Sequence, residues 1–441
     1  MSEKLISLGL DVGTTSTQMV LSELIIENQA GSFAVPEMEI QERKILYKSQ
    51  VYFTPLIRGE LVDGEKIREI VDKEYEKAGV SKEAVDTGAI IITGETSRKE
   101  NARSVLEALS QYAGEFVVAT AGPDLESVLA AKGAGAVEYS ARTGKRVLHM
   151  DIGGGTSNLA LIEAGKIIAT TCLNVGGRLI KMNGEGRILY VSPVLRGLFP
   201  KNEGEVANRG EVEELAEKLT QALEMVAGLR EKTDLLEKLR TREAVGDWPQ
   251  VPPGTVISFS GGVADCIEEE KGWLEFGDMG PELGRSIRHS RLCQGEYVLG
   301  SETIRATVIG AGCHSAQLSG STVFHQNVAF PLKNLPVVEG VAALAQLDGP
   351  GVLMLRGEAL DFAGVRDLAQ SLAASMKQPI YLAVSGDMAK ALGVQMALIL
   401  GPDAQVLCID RVNLGQGDYL DVGHPLGPAI PVVVKTLILG R

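Results

Sequence analysis

Two aspartates, each heading a cluster of glycine and hydroxyl residues, recur 140 positions apart in this 441-residue chain. The first cluster runs Asp11-Val12-Gly13-Thr14-Thr15-Ser16, and the second runs Asp151-Ile152-Gly153-Gly154-Gly155-Thr156-Ser157. Turns of this composition suit phosphate. Glycine lets the backbone come close, amide N–H groups and hydroxyls donate to phosphate oxygens, and a carboxylate holds Mg²⁺ through water. Three consecutive glycines are conformationally costly unless backbone must approach something. Two such turns facing each other would grip a nucleotide triphosphate from both sides.

Each cluster sits between two apolar runs that read as strands: residues 6–10 and 18–21 around the first, 147–150 and 159–162 around the second. Residues 1–140 then alternate helix and strand: a helix over 64–78, a strand over 88–93, a helix over 99–112, a strand over 115–120 and a small-residue helix over 123–137. That alternation predicts a sheet covered by helices. Residues 141–320 form a second unit with a strand at 166–173 and a long helical region over 210–241. There Val212, Leu215, Leu219, Leu223, Val226 and Leu229 fall at three- and four-residue spacing, the pattern of a helix packed on its own domain. A buried strand over 255–259 leads into Ser260-Gly261-Gly262-Val263. A Gly-Gly pair means little alone in a chain with 51 glycines; this one follows a buried strand, precedes a helix start and lies downstream of both Asp turns. A helical segment over 301–318 closes the unit, with Gly310-Ala311-Gly312 as a close-packing or hinge site. Residues 321–441, with strand-like runs at 352–355, 379–384, 405–409 and 430–438 and a helix over 387–399, read as an appended third α/β unit.

Composition narrows the function classes. A net charge of −14 argues against a nucleic-acid partner, which needs a basic stripe. No apolar stretch reaches membrane-spanning length, and no signal-peptide pattern opens the chain. The five cysteines are odd in number and scattered, as buried thiols of a reducing compartment are. A cytoplasmic protein is expected. The five histidines make no local metal cluster.

In this order, two Asp-headed phosphate turns followed by a strand–Gly-Gly–helix turn resemble the actin/Hsp70/sugar-kinase ATPase superfamily. Within it the chain is similar, nearly end to end, to the ethanolamine ammonia-lyase reactivating factors (ethanolamine utilisation protein A). The narrowing segments are 9–18, Thr93-Gly94-Glu95-Thr96-Ser97-Arg98-Lys99-Glu100-Asn101-Ala102, 151–158, Asn174-Val175-Gly176-Gly177-Arg178, 258–264 and the strand-rich C-terminus. The resemblance implies an actin/Hsp70-like duplicated ATPase fold with an appended C-terminal α/β unit. It implies a chaperone-like factor that uses ATP and Mg²⁺ to open ethanolamine ammonia-lyase, so that damaged cobalamin leaves and intact adenosylcobalamin enters. By the superfamily pattern, Asp11 and Asp151 would position Mg²⁺ through water and serve as the catalytic carboxylates. Gly13, Thr14, Thr15, Gly153, Gly154, Gly155 and Thr156 would hold the phosphates, and Gly261, Gly262 and Val263 would line the adenosine. Glu95 is a further polar candidate near the cleft. Asn158 stands where many superfamily members carry another Asp, which implies slow hydrolysis suited to a conformational switch. Two rival functions remain open: a small-molecule kinase of the sugar type, whose opening segment is similar to residues 11–16, and an actin-like filament or scaffold protein. Association with an ethanolamine-degrading microcompartment also stays open, because neither end shows an amphipathic targeting helix.

Overall fold

The computed structural model describes residues 3–13, 16–28, 38–57, 61–93, 117–120, 123–241, 251–314, 316–319, 322–347, 349–357, 360–412, 414, 418–425 and 429–436. The helix expected over 99–112 lies outside the described residues. Strands β1 (Glu3–Val12) and β2 (Ser16–Asn28) form an antiparallel hairpin, which β3 (Met38–Lys48) extends on one side. On the other side β4 (Thr87–Ile92) and β5 (Val117–Thr120) add in parallel, giving the order β3-β2-β1-β4-β5. The second sheet repeats this arrangement. β6 (Val147–Ile152), β7 (Ser157–Glu163) and β8 (Lys166–Leu173) form the antiparallel part; β9 (Val256–Ser260) and β10 (Tyr297–Leu299) add in parallel, in the order β8-β7-β6-β9-β10. The repetition seen in two short sequence segments is therefore a repetition of whole sheets, a duplicated α/β fold.

Burial explains the strand patterns. β6 and β9 are buried along their full length, so they read as continuous runs and not as alternating ones. Helix α1 (Gly64–Ala78) has the bounds expected from the sequence: Asp63 caps it by accepting from the Lys66 N–H, and Gly79 ends it in the left-handed conformation at φ 67°. The small-residue helix expected over 123–137 is instead two, α2 (Pro123–Gly133) and α3 (Ala136–Thr143), parted at Gly135 with φ 78°. The apolar stripe of α4 (Arg209–Val226) faces the core of its own unit, with Val212, Leu215, Leu219, Leu223 and Val226 all buried. The helix stops there because Gly228 turns left-handed at φ 72°, which leaves Leu229 outside it. A separate short helix, α5 (Asp234–Leu239), follows.

The two sheets are joined by a crossing of helices that run counter to chain order. α2, which follows β5 in sequence, packs against β6, β7 and β8 of the second sheet, whereas α6 (Ala306–His314) packs against β1, β2 and β4 of the first. α6 ends short of the helix expected over 301–318, whose last residues form a strand, Ala316–Leu318. The two helices meet through glycines: a Cβ on Gly133 would lie 1.9 Å from the Ala306 carbonyl oxygen, and one on Gly310 2.0 Å from that of Leu129. A Cβ on Gly9 would likewise fall 2.4 Å from the Val308 carbonyl, so α6 also lies directly on β1. Gly310 and Gly312 are thus a close-packing site.

The third unit is an eight-stranded sheet in the order Ala316–Leu318, Pro431–Thr436, Asp418–Val422, Leu332–Val338, Val352–Leu355, Ile380–Val384, Val406–Asp410 and Phe324–Gln326. Leu332–Val338 and the three strands after it in that order run parallel up to Val406–Asp410, with helices Phe362–Ser375 and Ala389–Leu400 crossing between them. The strand Leu332–Val338 has no counterpart in the sequence expectation, because Pro331 and Pro336 read there as chain breaks.

Candidate functional site

Asp11 and Asp151 end the central strands β1 and β6 of the two sheets, and both line one cavity of about 380 Å³, within the size range of small-molecule sites. Each is followed by a turn closed in the same way. The Gly13 N–H donates to the Ser16 carbonyl at 2.9 Å, and the Gly153 N–H donates to the Thr156 carbonyl at 2.9 Å. A side chain on Gly155 would meet no protein atom within 4 Å, so the protein's own packing does not demand glycine there. The open backbone is a cradle that a Cβ would fill. The second turn is braced from behind by residues 174–178: the Gly177 N–H donates to the Gly153 carbonyl at 3.0 Å and the Arg178 N–H to the Gly154 carbonyl at 2.7 Å. Gly176 is required there, since its Cβ would lie 2.4 Å from the Gly154 carbonyl oxygen.

Both carboxylates are buried and hydrogen-bonded. Thr93 Oγ1 donates to Asp11 Oδ1 at 2.8 Å. Burial, opposed by that bond and reinforced by the Asp151 charge, pushes the Asp11 carboxyl up to about 7. Burial likewise raises Asp151 to about 6, against hydrogen bonds from Ser260 Oγ at 2.5 Å and Thr307 Oγ1 at 3.4 Å. Behind Ser260 lies a buried relay. His149 Nε2 is 3.0 Å from Ser260 Oγ and Nδ1 is 3.0 Å from Ser258 Oγ. Because Ser260 gives its proton to the carboxylate, its oxygen accepts from Nε2–H, and Nδ1 accepts from Ser258. Burial drives the His149 pKa down to about 3, so the ring is neutral and locked in that tautomer.

Gly261, Gly262 and Val263 line the same cavity at the end of β9. Gly261 has φ 86°, and a Cβ on it would lie 2.3 Å from the Ile152 carbonyl oxygen; only glycine fits. A Cβ on Gly262 would meet nothing closer than Ile304 at 3.8 Å. Beyond them Cys266, Phe276 and Gly280 line the wall, and Phe276, at 49% exposure, presents a ring on which a flat base can stack. Every described residue of the expected site (Asp11, Gly13, Asp151, Gly153, Gly154, Gly155, Thr156, Gly261, Gly262 and Val263) lines this one cavity. Thr14, Thr15 and Glu95 lie outside the described residues.

Several lining residues were missed by sequence reasoning. Thr93, which opens one of the narrowing segments without a site role assigned to it, and Thr307, which has no local signal, touch the carboxylates from 82 and 156 residues away. Gln18 lies opposite Asp11 in the hairpin, as Asn158 lies opposite Asp151, and the shared seven-residue spacing could have found it. Arg178 is the one Lys or Arg among the described lining residues. Its Nε donates to Asp278 Oδ2 at 3.0 Å, and its guanidinium sits 5.4 Å from the ring centroid of Phe53, which comes from the first sheet. The lining also carries Asp11, Glu126, Asp151, Asp265 and Asp278, so a polyphosphate can enter only with a cation. The donor set fits such a cation held through its water shell: two carboxylates, hydroxyls and amide oxygens converge. Among the described residues no group of three or more His, Cys, Asp or Glu is arranged to hold a metal directly. No helix among them is long and apolar enough to cross a membrane.

The family model described as "Ethanolamine utilisation protein EutA" matches residues 3–351 and 347–440. The chain is 37% identical to a Salmonella typhimurium protein named "Ethanolamine ammonia-lyase reactivase EutA", with 99% of each chain covered. It is also 37% identical to the Escherichia coli protein of the same name, again over 99% of both. Among solved structures, the Aquifex aeolicus PPX-GPPA enzyme overlays 70% of this chain and 99% of its own, with a TM-score of 0.44 and 13% identity.

Proposed function

The chain belongs to the family of ethanolamine utilisation protein EutA, and we propose that it is an ATP-dependent, chaperone-like reactivating factor for ethanolamine ammonia-lyase. The observation that carries this reading is the convergence of two Asp-headed glycine turns, one from each repeated sheet, on a single acid-lined cavity. In this reading the Gly154 and Gly155 amides and Thr156 donate to the phosphates of ATP, while Gly13 and Gly153, whose N–H groups close the turns, let the phosphates approach the backbone. Asp11 and Asp151 hold water molecules around Mg²⁺, which offsets phosphate charge when bound. Gly261, Gly262 and Val263 seat the adenosine, and Phe276 flanks the base. The two repeated sheets, each with the helices packed on it, act as lobes that close on the nucleotide, with the glycine-lined crossing of α2 and α6 between them as the pivot. Nucleotide moves such a hinge only through unequal affinity for its open and closed states. The third unit, 321–441, is the proposed contact for ethanolamine ammonia-lyase, in the cytoplasm or a microcompartment.

The test is reactivation. Ethanolamine ammonia-lyase blocked with an inactive cobalamin regains activity when given this protein, Mg-ATP and fresh adenosylcobalamin, and Asp151→Ala or omission of ATP abolishes recovery. A blocked enzyme that stays inactive while an added sugar or polyol is phosphorylated establishes the kinase reading instead. Nucleotide-dependent sedimentation without reactivation establishes the filament reading.

A further inference from the structure

Gln18 stands to Asp11 as Asn158 stands to Asp151. The antiparallel register pairs the Cα of Asp11 with that of Gln18 across β1 and β2, and the Cα of Asp151 with that of Asn158 across β6 and β7. Both amides are buried, at 2% and 4% exposure, and both line the cavity. Gln18 Nε2 donates to the Ile304 carbonyl at 3.1 Å. That carbonyl can only accept, so the orientation of the amide is set and Oε1 is the atom left over. Gln18 Oε1 and Asn158 Oδ1 are buried oxygens without a hydrogen-bond partner, and among the described lining residues they are the two side-chain atoms of which this is true. A buried acceptor left unmade costs about 1–3 kcal/mol. Two such acceptors at equivalent places in the two hairpins, each beside a carboxylate, point to a donor that comes from outside the chain and sits between the lobes.

We propose that Gln18 and Asn158 complete, with Asp11 and Asp151, a four-oxygen cradle for the water shell of a divalent cation that enters with the nucleotide's phosphates. This rests on the nucleotide reading above and assigns its cation specificity. The coordinated waters of a hard, oxygen-seeking cation supply O–H donors, which is what four acceptors require. Two carboxylates match the charge of the ion. The two amides add acceptors without adding charge, in a cavity that already holds three further acidic side chains and must admit a polyphosphate. A site built this way binds the cation weakly by itself and firmly with nucleotide, so each ligand strengthens the other.

The experiment uses the full chain with Mn²⁺ as the probe, followed by electron paramagnetic resonance and calorimetry, with and without a non-hydrolysable ATP analogue. Gln18→Met and Asn158→Leu remove an oxygen while keeping much of the side chain's shape. Each is expected to weaken Mn²⁺ binding in the nucleotide complex by about tenfold, as loss of an outer-sphere partner does. Asn158→Asp is expected to strengthen Mn²⁺ binding in the absence of nucleotide, and it carries the test if the apolar variants melt early. Mn²⁺ affinities within twofold of wild type in the folded variants overturn the proposal, while the nucleotide reading stands if wild type binds the Mn²⁺–analogue complex. If wild type itself binds no such complex, the nucleotide reading falls.

Discussion

Replacing Asp11 by Asn should stabilise the unliganded protein while destroying its response to Mg-ATP. Burial lifts the Asp11 carboxyl from 3.8 to about 7, so the folded state holds its proton more tightly than the unfolded chain does. The stability contributed by this group is therefore fully present below about pH 4 and lost as pH rises through about 7. Three pH units correspond to about 4 kcal/mol of strain in the ionised, folded protein at pH 8. Water entering the cleft reduces this, so the expected gain for Asp11→Asn is about 2–4 kcal/mol at pH 8. The amide oxygen keeps the acceptor for Thr93 Oγ1, now 2.8 Å from Asp11 Oδ1, so no hydroxyl is orphaned by the change. At pH 5 the wild-type carboxyl is protonated when folded, and the advantage shrinks to at most about 2 kcal/mol. Thermal melting at the two pH values reads this directly, at roughly 2–4 °C per kcal/mol for a lobe of this size. With Mg-ATP at a thousand times its Kd wild type gains about 4.1 kcal/mol and the variant little, which cancels or reverses the gap. An Asp11→Asn protein that melts below wild type at pH 8, or a gap that does not change between pH 8 and pH 5, refutes the reasoning.

Three further outcomes follow from the geometry. Gly310→Ala places a methyl about 2.0 Å from the Leu129 carbonyl oxygen and forces α2 and α6 apart; the expected cost is about 1–3 kcal/mol by denaturant titration, with a loss of nucleotide-driven closure measured by small-angle scattering. His149→Leu strips Ser258 and Ser260 of a buried partner and frees Ser260 to swing away from Asp151; stability should fall by about 2–4 kcal/mol, and Mg-ATP affinity with it. Asn158→Asp puts a carboxylate opposite Asp151 in the hairpin and should raise the basal ATPase rate, measured by phosphate release.

The local grammar of this chain was legible without coordinates. Strand runs ending in Asp11 and Asp151, the Gly/Thr turns after them, and helix α1 between Asp63 and Gly79 are set by nearest neighbours: capping, glycine's freedom and the apolar period all act within a few residues. The seven-residue spacing that puts Gln18 opposite Asp11 is also local, because hairpin register follows from the turn. Helix crossing is not local. That α2 serves the second sheet and α6 the first depends on which surfaces bury together, and Gly133 and Gly310 acquire meaning only when another chain segment's carbonyl lies within 2 Å of where a Cβ would be. The same holds for the chemistry at the carboxylates. Asp11 and Asp151 could be named from their turns, but their raised pKa values come from burial, reinforced at Asp11 by the Asp151 charge. The hydroxyls that hold them, Thr93, Ser260 and Thr307, arrive from 82, 109 and 156 residues away. Sequence patterns report what a residue does to its neighbours in the chain; desolvation and through-space electrostatics depend on neighbours that only folding brings together.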